Sequence, residues 1–293
     1  MNAQTIGRSI LPLLGAGVFL WTAAPSAGAT QHFEKHFPVK GHPVVCIHNI
    51  GNGRIEVKST KGSEVIVAGT QASSKVSLET ENAGDRIDVS ANIVDITAQP
   101  SETEVNFQLS VPEETELELK TQTGLIYVEQ VIGDMTLQSV AGDVHLKEVS
   151  GYIVVRTTHG SLVCAQCAGK LDFNSVSGSA QLLQPGLTSV NLFTTSGNIL
   201  FDGDFIRTGI YTMRSGKGTV EVHFSGNDSF DLNAQTMSGT VDNQAEAYLK
   251  PDSHGMKHMA SKFTKGLFGT VGSGLAKVEL SSYSGTIRIL KRD

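Results

Sequence analysis

Aromatic residues make up only 6% of this 293-residue chain, and it carries one Trp and three Cys. Such a composition suits a fold that packs small branched side chains in thin layers. Basic blocks are missing as well. The 23 Lys and Arg are outnumbered by 29 Asp and Glu, for a net charge of −6. That balance argues against a nucleic-acid partner and against a polybasic grip on anionic lipid. Beyond the first few tens of residues there is no further long apolar run and no stop-transfer pattern. A nucleophile elbow, a P-loop and a dinucleotide fingerprint are all absent from the sequence.

The one apolar run that does occur reads as an address. Arg8 is followed by an apolar stretch from Ile10 to Ala24, and Ala27-Gly28-Ala29 offers a small-x-small cleavage site before Thr30. Residues 1–29 are therefore expected to be a secretory signal peptide. At roughly 15 residues the stretch falls short of the ~20 needed to span a bilayer, and Pro12 and Pro25 interrupt or end it. The mature chain is expected to be exported, to the periplasm or the cell surface. No Cys stands at the cleavage site to take a lipid anchor.

What the sequence has in abundance is periodic glycine. From Gly124 to Gly178 a glycine falls on every ninth residue, through Gly133, Gly142, Gly151, Gly160 and Gly169. Counting each glycine as zero, the residues at +2 (Ile126, Met135, Val144, Ile153, Leu162, Leu171, Ala180) and at +4 (Val128, Leu137, Leu146, Val155, Cys164, Phe173, Leu182) are apolar. Period-two alternation of this kind marks a strand with one buried face. The +7 residues, among them Val131, Val140, Val149 and Val176, are expected to turn inward after a bend, with the glycine closing the corner. Alternate corners differ: one set ends in Ser/Thr-rich TQTG, RTTHG or NSVSG, the other in EQVIG, KEVSG or AQCAG. The unit is thus two strands, eighteen residues per coil. The fold class predicted is an all-β parallel β-solenoid of stacked strand–turn units.

Five segments follow: a signal peptide (1–29), an N-terminal β-rich cap region (30–117), the solenoid repeats (118–243), an insertion (244–276) and a C-terminal closing strand (277–293). The insertion shows helical spacing, with Met256, Met259, Ala260, Phe263 and Leu267 on one face and Lys257, Lys262 and Lys265 elsewhere. A short basic amphipathic helix there is read as a membrane or partner contact through Lys257, Phe263, Lys265, Leu267 and Phe268, or as a loop folded back on the solenoid.

Candidate chemistry is sparse. Cys164 and Cys167 occupy +4 and +7, where other coils place Leu, Val or Phe. They are compatible with two buried small hydrophobes, with a disulfide across the bend, or with a redox or zinc role. Cys46, between inward Val45 and Ile47, is expected to face outward, where it could couple two molecules. His254, Met256, His258 and Met259 are soft ligands suited to Cu(I), and His32, His36 and His42 form a weaker group in a frayed N-terminus. A carbohydrate-active site would need paired carboxylates. Asp134 and Asp143 fall on opposite sheets, and Asp202 and Asp204 read as a turn, so an acidic groove would have to come from Asp202, Asp204 and Asp242. No cofactor is implied.

The segments HFPVKGHPVVCIHNIGNGRIEV, VPEETELELKTQTGLIYVEQVIGD, TTSGNI and YSGTIRILK resemble the DUF4097 "putative adhesin" β-strand-repeat family over roughly residues 35–292. The resemblance implies an exported or envelope protein, as most members are, in a family without known enzymatic activity, and carries no catalytic motif. The expected function is a non-enzymatic, adhesin-like binding or scaffolding module with an envelope glycan or protein as partner. The alternatives are a carbohydrate-active β-helix enzyme and a sensor that docks a membrane partner through the 244–276 insertion.

Overall fold

The computed structural model describes residues 30–250 and 265–292; the proposed signal peptide lies outside the described residues. The first strands are β1 (Gln31–Pro38), β2 (Val44–Asn49), β3 (Ile55–Thr60), β4 (Glu64–Gln71), β5 (Val76–Ala83), β6 (Arg86–Ile93), β7 (Val105–Pro112) and β8 (Glu116–Thr121). The regular repeat contributes β9 (Leu125–Glu129), β10 (Met135–Ser139), β11 (Asp143–Lys147), β12 (Ser150–Thr157), β13 (Leu162–Ala165), β14 (Ala168–Ser175), β15 (Ala180–Leu183), β16 (Gly186–Thr194) and β17 (Ile199–Asp202). The last are β18 (Ile210–Ser215), β19 (Val220–Phe224), β20 (Phe230–Thr236), β21 (Thr240–Asn243), β22 (Lys265–Val271), β23 (Ala276–Ser282) and β24 (Thr286–Lys291).

They form an all-β solenoid of two facing sheets, largely parallel and not closed. Sheet 1 runs β1-β4-β7-β3-β9-β11-β13-β15-β17-β19-β24-β21, and sheet 2 runs β22-β20-β23-β18-β16-β14-β12-β10-β8-β2-β6-β5. A coil is one strand of sheet 2 followed by one of sheet 1, and ten such coils stack. The +2 and +4 residues fill the space between the sheets as the alternation predicts, and the buried apolar residues make one continuous core from Phe37 to Ile289.

Coil order departs from chain order at both ends. The second strand pair, β2–β3, lies between β6–β7 and β8–β9, with parallel partners on each side. At the other end β23–β24 lies between β18–β19 and β20–β21. The expected N-terminal cap is thus two full coils plus antiparallel strands: β1 and β4 at the end of sheet 1, β5 at the end of sheet 2. The expected closing strand is not the end of the stack but its penultimate coil. Both outermost parallel coils are clamped by chain from elsewhere, and antiparallel β5 and β22 blunt the sheet-2 edges, a protection exposed edges need.

The corners explain the repeat's chemistry. Ser139, Thr157, Ser175, Thr194, Ser215, Thr236 and Ser282 are buried, three residues before a glycine. Each hydroxyl oxygen accepts the glycine N–H, at 2.6–3.0 Å. The Thr194 and Ser215 hydroxyls also donate to the glycine carbonyl of the preceding coil, at 2.9 and 2.8 Å. These side chains take the inward slot at this corner. The +7 residues Val140 and Val176 are therefore turned out, 52% and 50% exposed, against the expectation. At the opposite corner Val131, Val149 and Cys167 do point inward.

Opposite-corner geometry also leaves a column of strained backbone. Gln130, Glu148, Gln166 and Gln184 hold φ of 58°, 54°, 54° and 50°. In this left-handed region a side chain costs about 1–2 kcal/mol, while glycine loses roughly 0.5–1 kcal/mol in chain entropy. Gln166→Gly is accordingly expected to stabilise the protein by about 0.5–1 kcal/mol, a rise of roughly 2 °C in a thermal melt. A melt that shifts downward would show that the Gln166 side chain contributes more than its backbone costs.

Candidate functional site

The two outward faces are built alike but are differently occupied. On sheet 1 the residue after each of four successive corner glycines, Gly142, Gly160, Gly178 and Gly197, accepts a backbone N–H from the next coil. Asp143 receives Ser161 N at 2.8 Å, Ser161 receives Ser179 N at 3.2 Å, Ser179 receives Asn198 N at 3.0 Å and Asn198 receives Thr219 N at 2.8 Å. Charges on this face pair with one another: Lys58 with Glu56 at 2.8 Å, Lys147 with Glu129 at 2.7 Å, and Arg288 with Glu221 at 3.4 Å. This polar column thus closes the solenoid's own hydrogen bonds.

Sheet 2 is different at its centre. The coil from Gly178 to Gly197 has one residue more than the coils before it. The extra residue is absorbed as a shift of register between Gly169 and Lys170, opposite Leu187 and Ser189. Thr188 is the residue displaced, and its hydroxyl donates to Gly169 O at 3.1 Å. Beside it Gly133, Gly151 and Gly169 stack so closely that a Cβ on either of the last two would run into the carbonyl below. With no side chains over these glycines, an open depression of about 490 Å³ remains, lined by Asp134, Ser150, Gly151, Tyr152, Gly169, Lys170 and Thr188. Tyr152 is 47% exposed and stands directly opposite Lys170. One Asp134 carboxylate oxygen accepts Tyr152 N at 3.1 Å, leaving the other oxygen free for a ligand hydroxyl. Lys170 and Arg156, both exposed, have no acidic partner among the described residues.

Other singled-out residues fall elsewhere. Cys164 and Cys167 are joined as a disulfide with Cα atoms 5.9 Å apart, fully buried at the corner between β13 and β14. Cys46 is on the outward side of its strand but is only 1% exposed. It lies between Asp88 and Glu118 of the flanking strands, and burial together with the Asp88 carboxylate pushes its thiol up to about 12. The outward, coupling-competent thiol expected from the alternation is thus covered, and protonated at neutral pH. His32 and His36 sit on β1, not in a frayed end, and His36 bonds Glu34 at 2.7 Å and Glu64 at 3.0 Å. Those carboxylates hold its imidazole pKa above the ordinary value. His42 pairs with Glu114 at 2.9 Å.

The acidic groove does not form. Arg292 binds Asp202 at 3.5 Å and also Asp204, and Asp242 is on β21, three strands from β17. His254, Met256, Lys257, His258, Met259 and Phe263 lie outside the described residues. Lys265, Leu267 and Phe268 belong to β22, an antiparallel strand on β20, and not to a helix; Leu267 packs against the core. Among the described residues no group of three or more His, Cys, Asp or Glu is placed to hold a metal.

The Toastrack DUF4097 family matches residues 47–290. The chain belongs to this family. Several solved structures resemble this Toastrack chain at low identity. A putative adhesin from Bacteroides fragilis NCTC 9343 is 8% identical with a TM-score of 0.41, covering 89% of this chain and 97% of that one. A putative adhesin from Parabacteroides distasonis ATCC 8503 is 9% identical with a TM-score of 0.36, covering 90% and 98%. A putative lipid binding protein from the same organism is 10% identical with a TM-score of 0.26, covering 91% and 98%. No curated protein matches the chain. The Tyr152 depression was missed by reasoning from sequence, although its signal was present as the extra residue between Gly178 and Gly197.

Proposed function

We propose that this Toastrack protein is an exported, non-enzymatic binding and scaffolding module of the bacterial envelope, and that it holds its partner on the outward face of sheet 2. The observation that carries this reading is the contrast between the faces. Sheet 1 pairs Lys58, Lys147 and Arg288 and gives its corner oxygens to its own backbone, whereas sheet 2, beside its own pairs at Arg86, Lys120 and Arg214, keeps Tyr152 and Lys170 exposed at one depression and Arg156 at a second. Export is supported by the leader-like residues 1–29 and by a Cys164–Cys167 disulfide, which an oxidising compartment preserves. A non-catalytic role is supported by the lone carboxylate at the depression: Asp134 has no second acid beside it for acid–base work.

The test is retention of the mature chain (30–293) by purified envelope fractions, beside a variant lacking 251–264. Retention of both chains is expected, because the proposed face is remote in sequence from the deleted segment. Failure of both to be retained would reject the binding-module reading, and loss confined to the deletion would move recognition to the insertion.

A further inference from the structure

The coil β23–β24 is reached in a way that most of the others are not. It enters between two coils that precede it in the chain, pairing in parallel with β18–β19 on one side and β20–β21 on the other. Strand β22 lies antiparallel on the far side of β20, so β22 and β23 flank β20. The link 272–275 therefore carries the chain across the start of β20 in four residues, a step of two strand spacings or about 10 Å.

That crossing is tight. Gly272 and Gly274 hold φ of 61° and 69°. A Cβ on Gly274 would collide with the Asp231 carboxylate, and one on Gly272 would come within 2.9 Å of Asp228 O. The Ser229 hydroxyl oxygen, just before β20, accepts Ser273 N at 2.9 Å and Leu275 N at 3.3 Å. The link is thus bent and clipped against the strand it crosses.

The coil's own contacts lie elsewhere. Val278 and Leu280 stand between Tyr211 and Met213 of β18 and Leu232 and Ala234 of β20. Glu279 pairs with Arg214 at 3.7 Å, and Arg288 with Glu221 at 3.4 Å, which fixes register against β18–β19. None of these contacts requires the coil and the gap to belong to one molecule. An unfilled gap presents unpaired strand edges on both sides, and such edges recruit a matching strand from another chain. The Asp228 carboxylate, bonded to Ser225 N and Phe205 N, holds β20 one layer away and keeps the gap open.

We infer that the gap between β18–β19 and β20–β21 is an interaction surface whose partner is a second copy of this chain. Residues 276–292 of one copy fill the gap of the other, and the straightened 272–275 link is the hinge of an exchanged dimer. Exchange keeps the coil's interstrand contacts and releases the left-handed glycines, so the link and the protein concentration set the balance. Four extended residues reach about 14 Å, so the two copies meet at this corner. This partner is additional to the one held on sheet 2 and does not depend on it.

Two mature chains (30–293) test this, one carrying Thr212→Cys and the other Glu279→Cys. These positions are opposite each other on β18 and β23, so the two new thiols meet only when the coil of one chain has entered the gap of the other. The chains are unfolded together in denaturant without reductant, then refolded together at roughly millimolar concentration, the range in which a short link acts. A short bis-maleimide is added only after refolding, when Cys46 is again covered. A covalent heterodimer on a denaturing gel is expected, and chains folded separately and then mixed should stay monomeric. Gly272→Val/Gly274→Val in both chains should raise the heterodimer yield about tenfold or more, because valine resists the left-handed bend of the closed link. No heterodimer after joint refolding of the parent pair would overturn the inference. So would a heterodimer that forms equally on mixing folded chains, which is a surface contact. A yield unmoved by the valines would overturn the assignment of the hinge to 272–275.

Discussion

Gly178→Ala is expected to destabilise the solenoid by about 4 kcal/mol, among the largest effects a single substitution produces. Gly53, Gly124, Gly142, Gly160, Gly178, Gly197, Gly218, Gly285 and Gly239 form one column along the corner; Gly53 packs on the carbonyl of Val105, and each of the others on the carbonyl of the glycine in the preceding coil. A Cβ on Gly178 would overlap the carbonyl oxygen of Gly160, and the same corner carries the hydrogen bond from Gly178 N to Ser175 Oγ at 2.7 Å. Relief requires the coils to separate locally, which breaks parallel strand pairing on both sides. Gly186→Ala is the internal control. Its nearest neighbour would be the Ala168 Cβ at 3.6 Å, ordinary contact, and its effect should stay within about 0.5 kcal/mol. Thermal melts of the two variants measure the difference, with Gly178→Ala falling by roughly 10 °C or more. Equal melts would show that the column tolerates a methyl group and that glycine is there for another reason.

Ending the chain after Leu275 is expected to unfold more than the residues it removes. The deleted β23–β24 coil is the layer on which β20–β21 rests, and it buries Val278, Leu280, Ile287 and Ile289. Without it, β20 keeps only antiparallel β22 as a partner. The five-residue link from β19 to β20 is held by Asp228, whose carboxylate accepts Ser225 N at 2.8 Å and Phe205 N at 3.1 Å. That clasp sets β20 one layer beyond β18 and opposes its dropping into the gap. Hydrogen exchange across Phe230–Thr236 should therefore accelerate by about 100-fold or more, a loss of nearly 3 kcal/mol of local protection. The central strands β10–β15 should keep theirs, as expected when each coil contacts only its neighbours. Protection of β20 at the full-length level would mean that β20–β21 docks directly on β18–β19.

The aromatic cluster shows how local departures from the repeat are accommodated. Phe205 stacks on Phe201 at 4.7 Å and meets Phe230 and Tyr211 at the same distance. The segment from 203 to 209 replaces a short corner, and these rings fill the space beneath it. The Tyr211 hydroxyl donates to Leu187 O at 2.7 Å and accepts Ile206 N at 2.8 Å, and burial pushes its pKa up to about 12. Five aromatic residues, Phe201, Phe205, Tyr211, Phe224 and Phe230, thus gather where the nine-residue period fails.

Sequence alone determined the coil. Residues at +2 and +4 face inward because strand geometry alternates side chains, and the glycines mark corners because nothing larger fits between stacked carbonyls. It also marked the Ser/Thr corners, whose hydroxyls bond nearby backbone. Tertiary structure alone decided which coil stacks on which, because parallel strands of similar pattern accept more than one neighbour, and the swaps at β2–β3 and β23–β24 depend on contacts between residues distant in the chain. It decided that Leu267 lies in a strand, because the unpaired edge of β20 recruits the segment that its own spacing would have made helical. It decided, too, which face is free. An Asp or Ser at a corner reads as surface in a sequence, and only the position of the next coil's N–H shows that on sheet 1 its oxygen is already engaged, while on sheet 2 one inserted residue opens a depression beside Tyr152.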